Sequence, residues 1–252
     1  LTIDHAHGWM FILIACAGAT FAVTITRMLP TFIVEPANQR AVLRKIIEGG
    51  RYVAQHTLLL PLALCSVFWN FAFAALIVVL VPSIQSIFKF DTGAFGLALA
   101  SFGLAAICGS WLSGQVSNRI PPSVILLFGP GSSVIASAGL LFIGADANEA
   151  WLYALFFLLG FGPSMWLVTQ NSVRQLTTPP EMLGRANSVI QTAIYGIRPI
   201  GAVVGGVCAS SLGAEYGLQL VVAAFAASFA VTLFSSLRSV SSFRSLKPAT
   251  DS

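Results

Sequence analysis

Charge is scarce in this chain. Asp, Glu, Lys and Arg together make up 9% of its 252 residues, against about 25% in soluble globular domains. The mean hydropathy is +0.85. A soluble fold of this length needs far more polar surface. Also missing is the alternation of apolar and polar residues, over about 10 positions, that marks strands of a membrane β-barrel. The apolar runs here are continuous and much longer.

Catalytic and metal-binding patterns are missing too. Cys16, Cys65, Cys108 and Cys208 each sit alone in an apolar stretch, with no C-x-x-C spacing, and read as small buried apolar side chains. There is no G-x-x-x-x-G-K-[ST], hence no ATP site on this chain. Ser164, in Gly162-Pro163-Ser164, has no histidine or acid in any apolar stretch to activate it. His5 and His7 form a pair, but two ligands alone rarely hold a metal. His56 reads as an interfacial residue. No cofactor and no enzyme chemistry is expected. No signal-peptide pattern opens the chain.

What the chain has is seven apolar stretches: 8–29, 58–82, 93–117, 123–145, 151–173, 186–210 and 217–237. A bilayer core about 30 Å thick takes roughly 20 mostly apolar helical residues. Lipid offers no water to unpaired backbone groups, so runs of this kind span as helices. The expected fold is all-α, a polytopic transmembrane helical bundle.

Basic residues occupy alternate connections. Arg27, Arg40, Arg44, Lys45, Arg51, Arg119, Arg174, Arg185, Arg238, Arg244 and Lys247 fall on one side, eleven of the thirteen Lys and Arg. Lys89 falls on the other side with Asp91, Asp146, Glu149 and Glu215. The positive-inside rule makes the first connection and the C-terminus cytoplasmic. The net charge of +4 therefore reports orientation and points to no nucleic acid. An outside N-terminus without a targeting signal is expected of a piece of a longer protein, with earlier spans missing.

In the long connection 30–56, Val42, Leu43, Ile46, Ile47 and Val53 recur at helical spacing among Arg44, Lys45 and Glu48. This predicts an amphipathic helix on the cytoplasmic face, its cations against anionic lipid headgroups or solvent. The six later spans divide into two sets of three. Each set opens on an aromatic-rich helix (Phe68, Trp69, Phe71 and Phe73; Trp151, Tyr153, Phe156 and Phe157). Internal repeats of this kind are a common transporter plan.

Helices meet closely in lipid through small residues. The sixth span carries the ridge Gly201, Gly205, Ala209; the third carries Gly96, Ala100, Gly103 and then Ala105, Gly109, Ser113. Such ridges serve either static packing or sliding. Gly160, Gly162 and Pro163, and Gly129, Pro130 and Gly131, predict kinks.

One charge lies deep in a span: Arg198. Placing Arg there costs about 2.5–3.5 kcal/mol on insertion scales, so such residues face a bundle interior or a wet cavity and mark function by default. Asn187, Gln191, Tyr195 and Arg198 step by four, four and three along one helical face. Pro199 lacks an N–H and frees the Tyr195 carbonyl. Arg198 is expected to bind an anionic substrate group or a carboxylate elsewhere, or else to be satisfied by carbonyls such as that of Tyr195. Asn70, beside Trp69, is expected to touch substrate or to bond between helices. Trp166 and Gln170 share a face and line a cavity mouth, unless Trp166 belongs to an interfacial belt. No Asp, Glu, His or Lys lies well inside a span, so a coupling proton would be carried elsewhere.

Three stretches resemble the major facilitator superfamily, in its multidrug-efflux and enterobactin-exporter-like branch (transmembrane secretion effectors). Ile47–His56, with Glu48-Gly49-Gly50-Arg51, resembles that branch's entry into its seventh helix. Thr92–Gly103 resembles its glycine-patterned eighth helix. Pro179–Ser188, followed by Gly201–Gly206, resembles the family's loop and eleventh helix. The resemblance implies helix six plus the C-terminal half of a twelve-helix carrier. Residues 1–29 are then the last helix of the N-terminal half, 30–56 the central loop, 57–238 a six-helix transport domain and 239–252 a cytoplasmic tail. It implies that the second, third, fifth and sixth spans line the path. The loop that is basic in the family is reduced here to Gly114–Ile120, with Arg119 and no acid.

The expected function is secondary active transport in a bacterial inner membrane: an efflux antiporter exporting a drug-like or siderophore-like small molecule by alternating access. The expected partners are that substrate, membrane lipid, a coupling proton and the missing N-terminal helices. The expected substrate-binding residues are Arg198, Tyr195, Gln191, Asn70, Trp166 and Gln170. Two rivals make different demands. A membrane-embedded enzyme needs a catalytic base in a span, and a channel or structural subunit would show charge rings or a filter loop.

Overall fold

The computed structural model describes residues 16, 18–21, 23–25, 39–117 and 119–246. It divides into two compact units, Leu1–Val42 and Leu43–Ser252. In the first unit the described residues among 16–25 are helical, and Thr20 Oγ1 donates to the Cys16 carbonyl at 2.9 Å. Most of the expected first span, 8–29, lies outside the described residues.

The second unit is a helical bundle. We label the helices α1 (Gln39–Gln55, crossing from the first unit), α2 (Leu59–Ser86), α3 (Thr92–Val116), α4 (Pro122–Leu140), α5 (Ala150–Thr177), α6 (Pro180–Ser211) and α7 (Ala214–Leu233), followed by two short 3-10 turns. Among the described residues six helices, α2 to α7, are long and apolar enough to cross a membrane, and there is no strand. The expected spans match these helices with shifted ends. The largest trim is in α4, which ends at Leu140, short of the expected 145. The largest extension is in α6, which starts at Pro180 ahead of the expected 186.

Local chemistry sets several ends. Asp91 caps α3, its carboxylate accepting from the Gly93 N–H at 3.1 Å. Pro122 and Pro180 open α4 and α6, where a missing N–H costs nothing. Gly213, at φ 111°, makes the reversal between α6 and α7 that other residues rarely adopt. His56 caps α2: its Nδ1 accepts from the N–H groups of Leu58 at 3.1 Å and Leu59 at 3.3 Å.

That cap has a pH signature. Nδ1 accepts only when unprotonated, and burial lowers the His56 pKa below its ordinary 6.5. The folded state therefore holds fewer protons than the unfolded state as pH falls. The cap's contribution is full above 6.5 and is lost as pH falls through the lowered folded value. Thermal unfolding at about pH 8 and about pH 5 should show this loss. His56→Ala should be less stable by about 1 kcal/mol at the higher pH and should lose less on acidification. An equal acid loss in both proteins would rule out His56 as its source.

The apolar core joins α2, α4, α5 and α7 through fully buried Leu76, Leu80, Leu140, Phe156 and Phe225. The small-residue ridge of α6 packs on α2. A Cβ on Gly201 would strike the Phe71 carbonyl oxygen, and one on Gly205 would lie 2.8 Å from the Ala75 Cα. The ridge Ala105, Gly109, Ser113 of α3 packs on α5, where Ser113 Oγ donates to the Met165 carbonyl at 3.3 Å. The other α3 ridge does not pack within this unit: Gly96 and Gly103 have nothing within 4 Å of a built Cβ. α4 and α5 run on as helix through Pro130 and Pro163. The adjoining glycines act as contact points. Gly129 admits the Trp166 side chain, Gly160 the Phe102 carbonyl and Gly162 the Ser132 hydroxyl.

The end of α1 beyond Val42 docks on α6. Gly49 lies against the Arg185 backbone, Val53 packs with Leu59, Ala186 and Ile190, and Glu48 receives Arg185 Nη1 at 2.9 Å. Ile46 and Ile47 stay exposed. The expected apolar face therefore divides, because the glycines turn the Gly49–Val53 side toward the bundle. Glu48 also bonds Arg44, and these exposed pairs are worth at most about 1 kcal/mol each.

Candidate functional site

Four helices, α2, α3, α5 and α6, line an open cavity of about 560 Å³. That lies within the range of about 300–1,000 Å³ typical of small-molecule sites. Its polar wall is built from α2 and α6. On α2, Asn70 Nδ2 donates to the Ser66 carbonyl one turn earlier, at 2.8 Å. This fixes the amide plane and leaves Oδ1 facing out from the helix. Arg198 Nε on α6 donates to that oxygen at 2.8 Å. The guanidinium carbon lies 5.3 Å from the Tyr195 ring centroid, within cation–π range. The guanidinium is thus held from both sides while most of its N–H donors remain free. Among the described residues its only side-chain hydrogen bond is to Asn70, and the two ion pairs both belong to Glu48.

The carbonyl of Tyr195, expected as a partner for Arg198, is not used. A side chain from another helix takes its place. Asn70 in turn serves the expected interhelical bond and faces the cavity at once.

The aromatic wall runs from α2 to α3. Trp69 Nε1 donates to Ser133 Oγ at 2.9 Å, which locks the indole. Trp69 stacks on Phe73 with centroids 5.1 Å apart, and Phe73 stacks on Phe102 at the same distance. Trp69 and Phe102 both face the cavity.

All six residues expected at the site line this one cavity: Arg198, Tyr195, Gln191, Asn70, Trp166 and Gln170. Trp166 is 7% exposed, packed among Leu62, Cys65, Leu126 and Val173, which excludes an interfacial belt position. Among the described residues its buried indole Nε1–H has no acceptor. Gln170 is buried, and its amide makes no side-chain hydrogen bond among the described residues. The cavity also takes in Arg174, Asn171 and Asn187. Arg174 reads in the sequence as a charge at a helix end. Its length lets it reach back into the cavity, where Nη2 donates to Asn171 Oδ1 at 2.7 Å. The one hint in the sequence is the set Gln170, Asn171, Arg174, which recurs at turn spacing in an otherwise apolar helix.

A bundle of apolar helices around a mixed polar and aromatic cavity is a carrier's architecture. Residues 2–202 match the family model of the Major Facilitator Superfamily. The chain belongs to that superfamily. The Major Facilitator chain is 27% identical, over 181 residues, to the enterobactin exporter EntS of Salmonella typhimurium, covering 70% of this chain and 41% of the exporter. It is 26% identical over 182 residues to EntS of Citrobacter koseri, with the same coverage of 70% and 41%. Over 218 residues it is 27% identical to the uncharacterized MFS-type transporter y4rN of Sinorhizobium fredii, covering 84% of this chain and 52% of that protein. The chain thus spans about two-fifths of the length of the exporters it matches. No solved structure matches it. The cavity is lined by the second, third, fifth and sixth expected spans, the set that the family resemblance names for the path.

Proposed function

We propose that this chain supplies helix six and the C-terminal half of a secondary exporter in a bacterial inner membrane, and that the α2–α3–α5–α6 cavity is its substrate site. The observation that carries the reading is the guanidinium of Arg198, fixed by Asn70 and Tyr195 with free donors at the cavity wall. Aromatic Trp69 and Phe102 add a flat apolar surface. A small amphipathic molecule with a negative group fits both walls, as a siderophore or an acidic drug would. The likeness to enterobactin exporters supports export of such a molecule.

α3 and α6 are the least covered helices, each 17% buried over its most apolar stretch. Their open rows, Leu97, Leu104 and Ile107 and then Ile200, Val203 and Val207, are where the other half of the carrier meets this one. The two halves rock about the cavity, opening it alternately to each side. The α1 end and the C-terminus are cytoplasmic by the distribution of Lys and Arg. Any coupling proton is carried by the other half or at a loop edge. The chain is not an enzyme.

Transport by the full-length protein tests this. Everted vesicles carrying it should accumulate enterobactin or an amphipathic aryl sulfonate, and vesicles without it should not. Equal accumulation in both, across a panel of such anions, would reject the reading.

A further inference from the structure

The cavity wall holds a second guanidinium, Arg174, and no carboxylate. Arg174 is half-buried, and among the described residues its one side-chain hydrogen bond goes to the neutral amide of Asn171 at 2.7 Å. No acid among the described residues pairs with it. A desolvated cation without a counter-charge is costly, and an anion within reach offsets that cost. Across from Arg174 on α6, Asn187 also lines the cavity. That amide can turn either its N–H or its oxygen to a ligand.

This group is distinct in position from Arg198. Asn187 and Arg198 are eleven residues apart on α6, about 16 Å along the axis at the α-helical rise. Arg174 lies near the α5–α6 connection, at the same end of the cavity as Asn187. A small anion cannot reach both guanidinium groups at once.

We propose that Arg174, with the Asn187 amide opposite, forms an anion-capture site at the cytoplasmic mouth of the cavity, and that a small organic acid binds there before passing to Arg198. This rests on the cavity being the substrate site. It adds that loading has two stations.

The test uses the full-length protein in proteoliposomes, with naphthalene-1-sulfonate as probe and naphthalene-1-methanol as its neutral counterpart. Losing a charge-assisted contact at the mouth should raise the KM of Arg174→Gln for the sulfonate about tenfold or more. The maximal rate should stay within about twofold, because Arg198 still holds the anion at the second station. Arg174→Lys should recover most of the loss, since point charge suffices for capture. Dialysis should show binding of the neutral probe unchanged in both variants. Arg238→Gln, in the tail away from the cavity, controls for general surface charge.

An unchanged KM in Arg174→Gln, with Arg198→Gln still disabling transport, overturns the capture site and leaves the substrate cavity standing. Equal losses for both probes, or no recovery with lysine, also overturn it, because they assign Arg174 to structure. Wild-type protein that neither binds nor moves the sulfonate overturns the anionic class and the cavity reading together.

Discussion

Arg198→Ala in the full-length protein should abolish export of an anionic substrate while leaving insertion and folding intact. The side chain faces the cavity, so truncating it leaves no hole in the packed core. It frees Asn70 Oδ1, which is then solvated by cavity water. The loss falls on the ligand. Two or more charge-assisted hydrogen bonds, each worth about 1.5–3 kcal/mol, amount to at least about 100-fold in affinity. Arg198→Lys should recover only part of this, because an ammonium cannot present a planar pair of donors or be held by the same amide and ring. Asn70→Ala should give an intermediate phenotype, since it removes the group that aims the guanidinium without removing the charge. The measurement is initial-rate transport, with surface expression scored in parallel. Unchanged transport in Arg198→Ala would assign the residue to helix packing.

Gly201→Val should separate α6 from α2. A Cβ at 201 strikes the carbonyl oxygen of Phe71, which is backbone and cannot rotate away. The helices must move apart, and overpacking of this kind costs about 1–3 kcal/mol or more. The loss is larger here because the same contact continues through Gly205 to Ala75. The expected result is a lower melting temperature in detergent and loss of transport of every substrate, neutral or charged. Gly184→Ala is the contrast. Its built Cβ meets nothing within 4 Å, and alanine favours the helix by up to about 1 kcal/mol. A melting temperature for Gly201→Val equal to that of the parent would refute the close contact.

The two substitutions also separate what a single sequence can show from what it cannot. Lipid removes the choice of secondary structure, so continuous apolar runs specify helices almost directly. The ridge at Gly201 and Gly205 was legible for the same reason, because small residues four apart have few other uses. Its partner was not, since nothing in Phe71 or Ala75 marks them as the facing surface. Glycines beside prolines read as kinks, and nothing in the sequence marks Gly129 and Gly162 as the contacts they also are. Local sequence carries no record of which neighbour approaches.

The site divides in the same way. Arg198 stood out because charge in a span is expensive. Its partner on the other wall is 128 residues away in sequence, and an Asn in an apolar helix is open to several roles. Arg174 was passed over because an arginine near a helix end normally turns toward water. Here the half-buried pocket beside Asn171 draws it inward. The amphipathic pattern of α1 does not show which side meets α6, because Gly49, with no apolar side chain at all, is one of the residues in contact there.

The central claim is that the cavity is a path reached alternately from the two sides of the membrane. Gln191 lines it, half-buried, one turn before Tyr195 on the Arg198 face. The measurement is thiol labelling of Gln191→Cys in a full-length background with Cys16, Cys65, Cys108 and Cys208 replaced. A membrane-impermeant reagent should reach position 191 from the cytoplasmic side, and from the opposite side once the carrier is driven to its other state. Bound substrate should slow the labelling. A thiol at 191 that reacts from neither side, or that reacts at one rate whatever the state and substrate, would contradict the account.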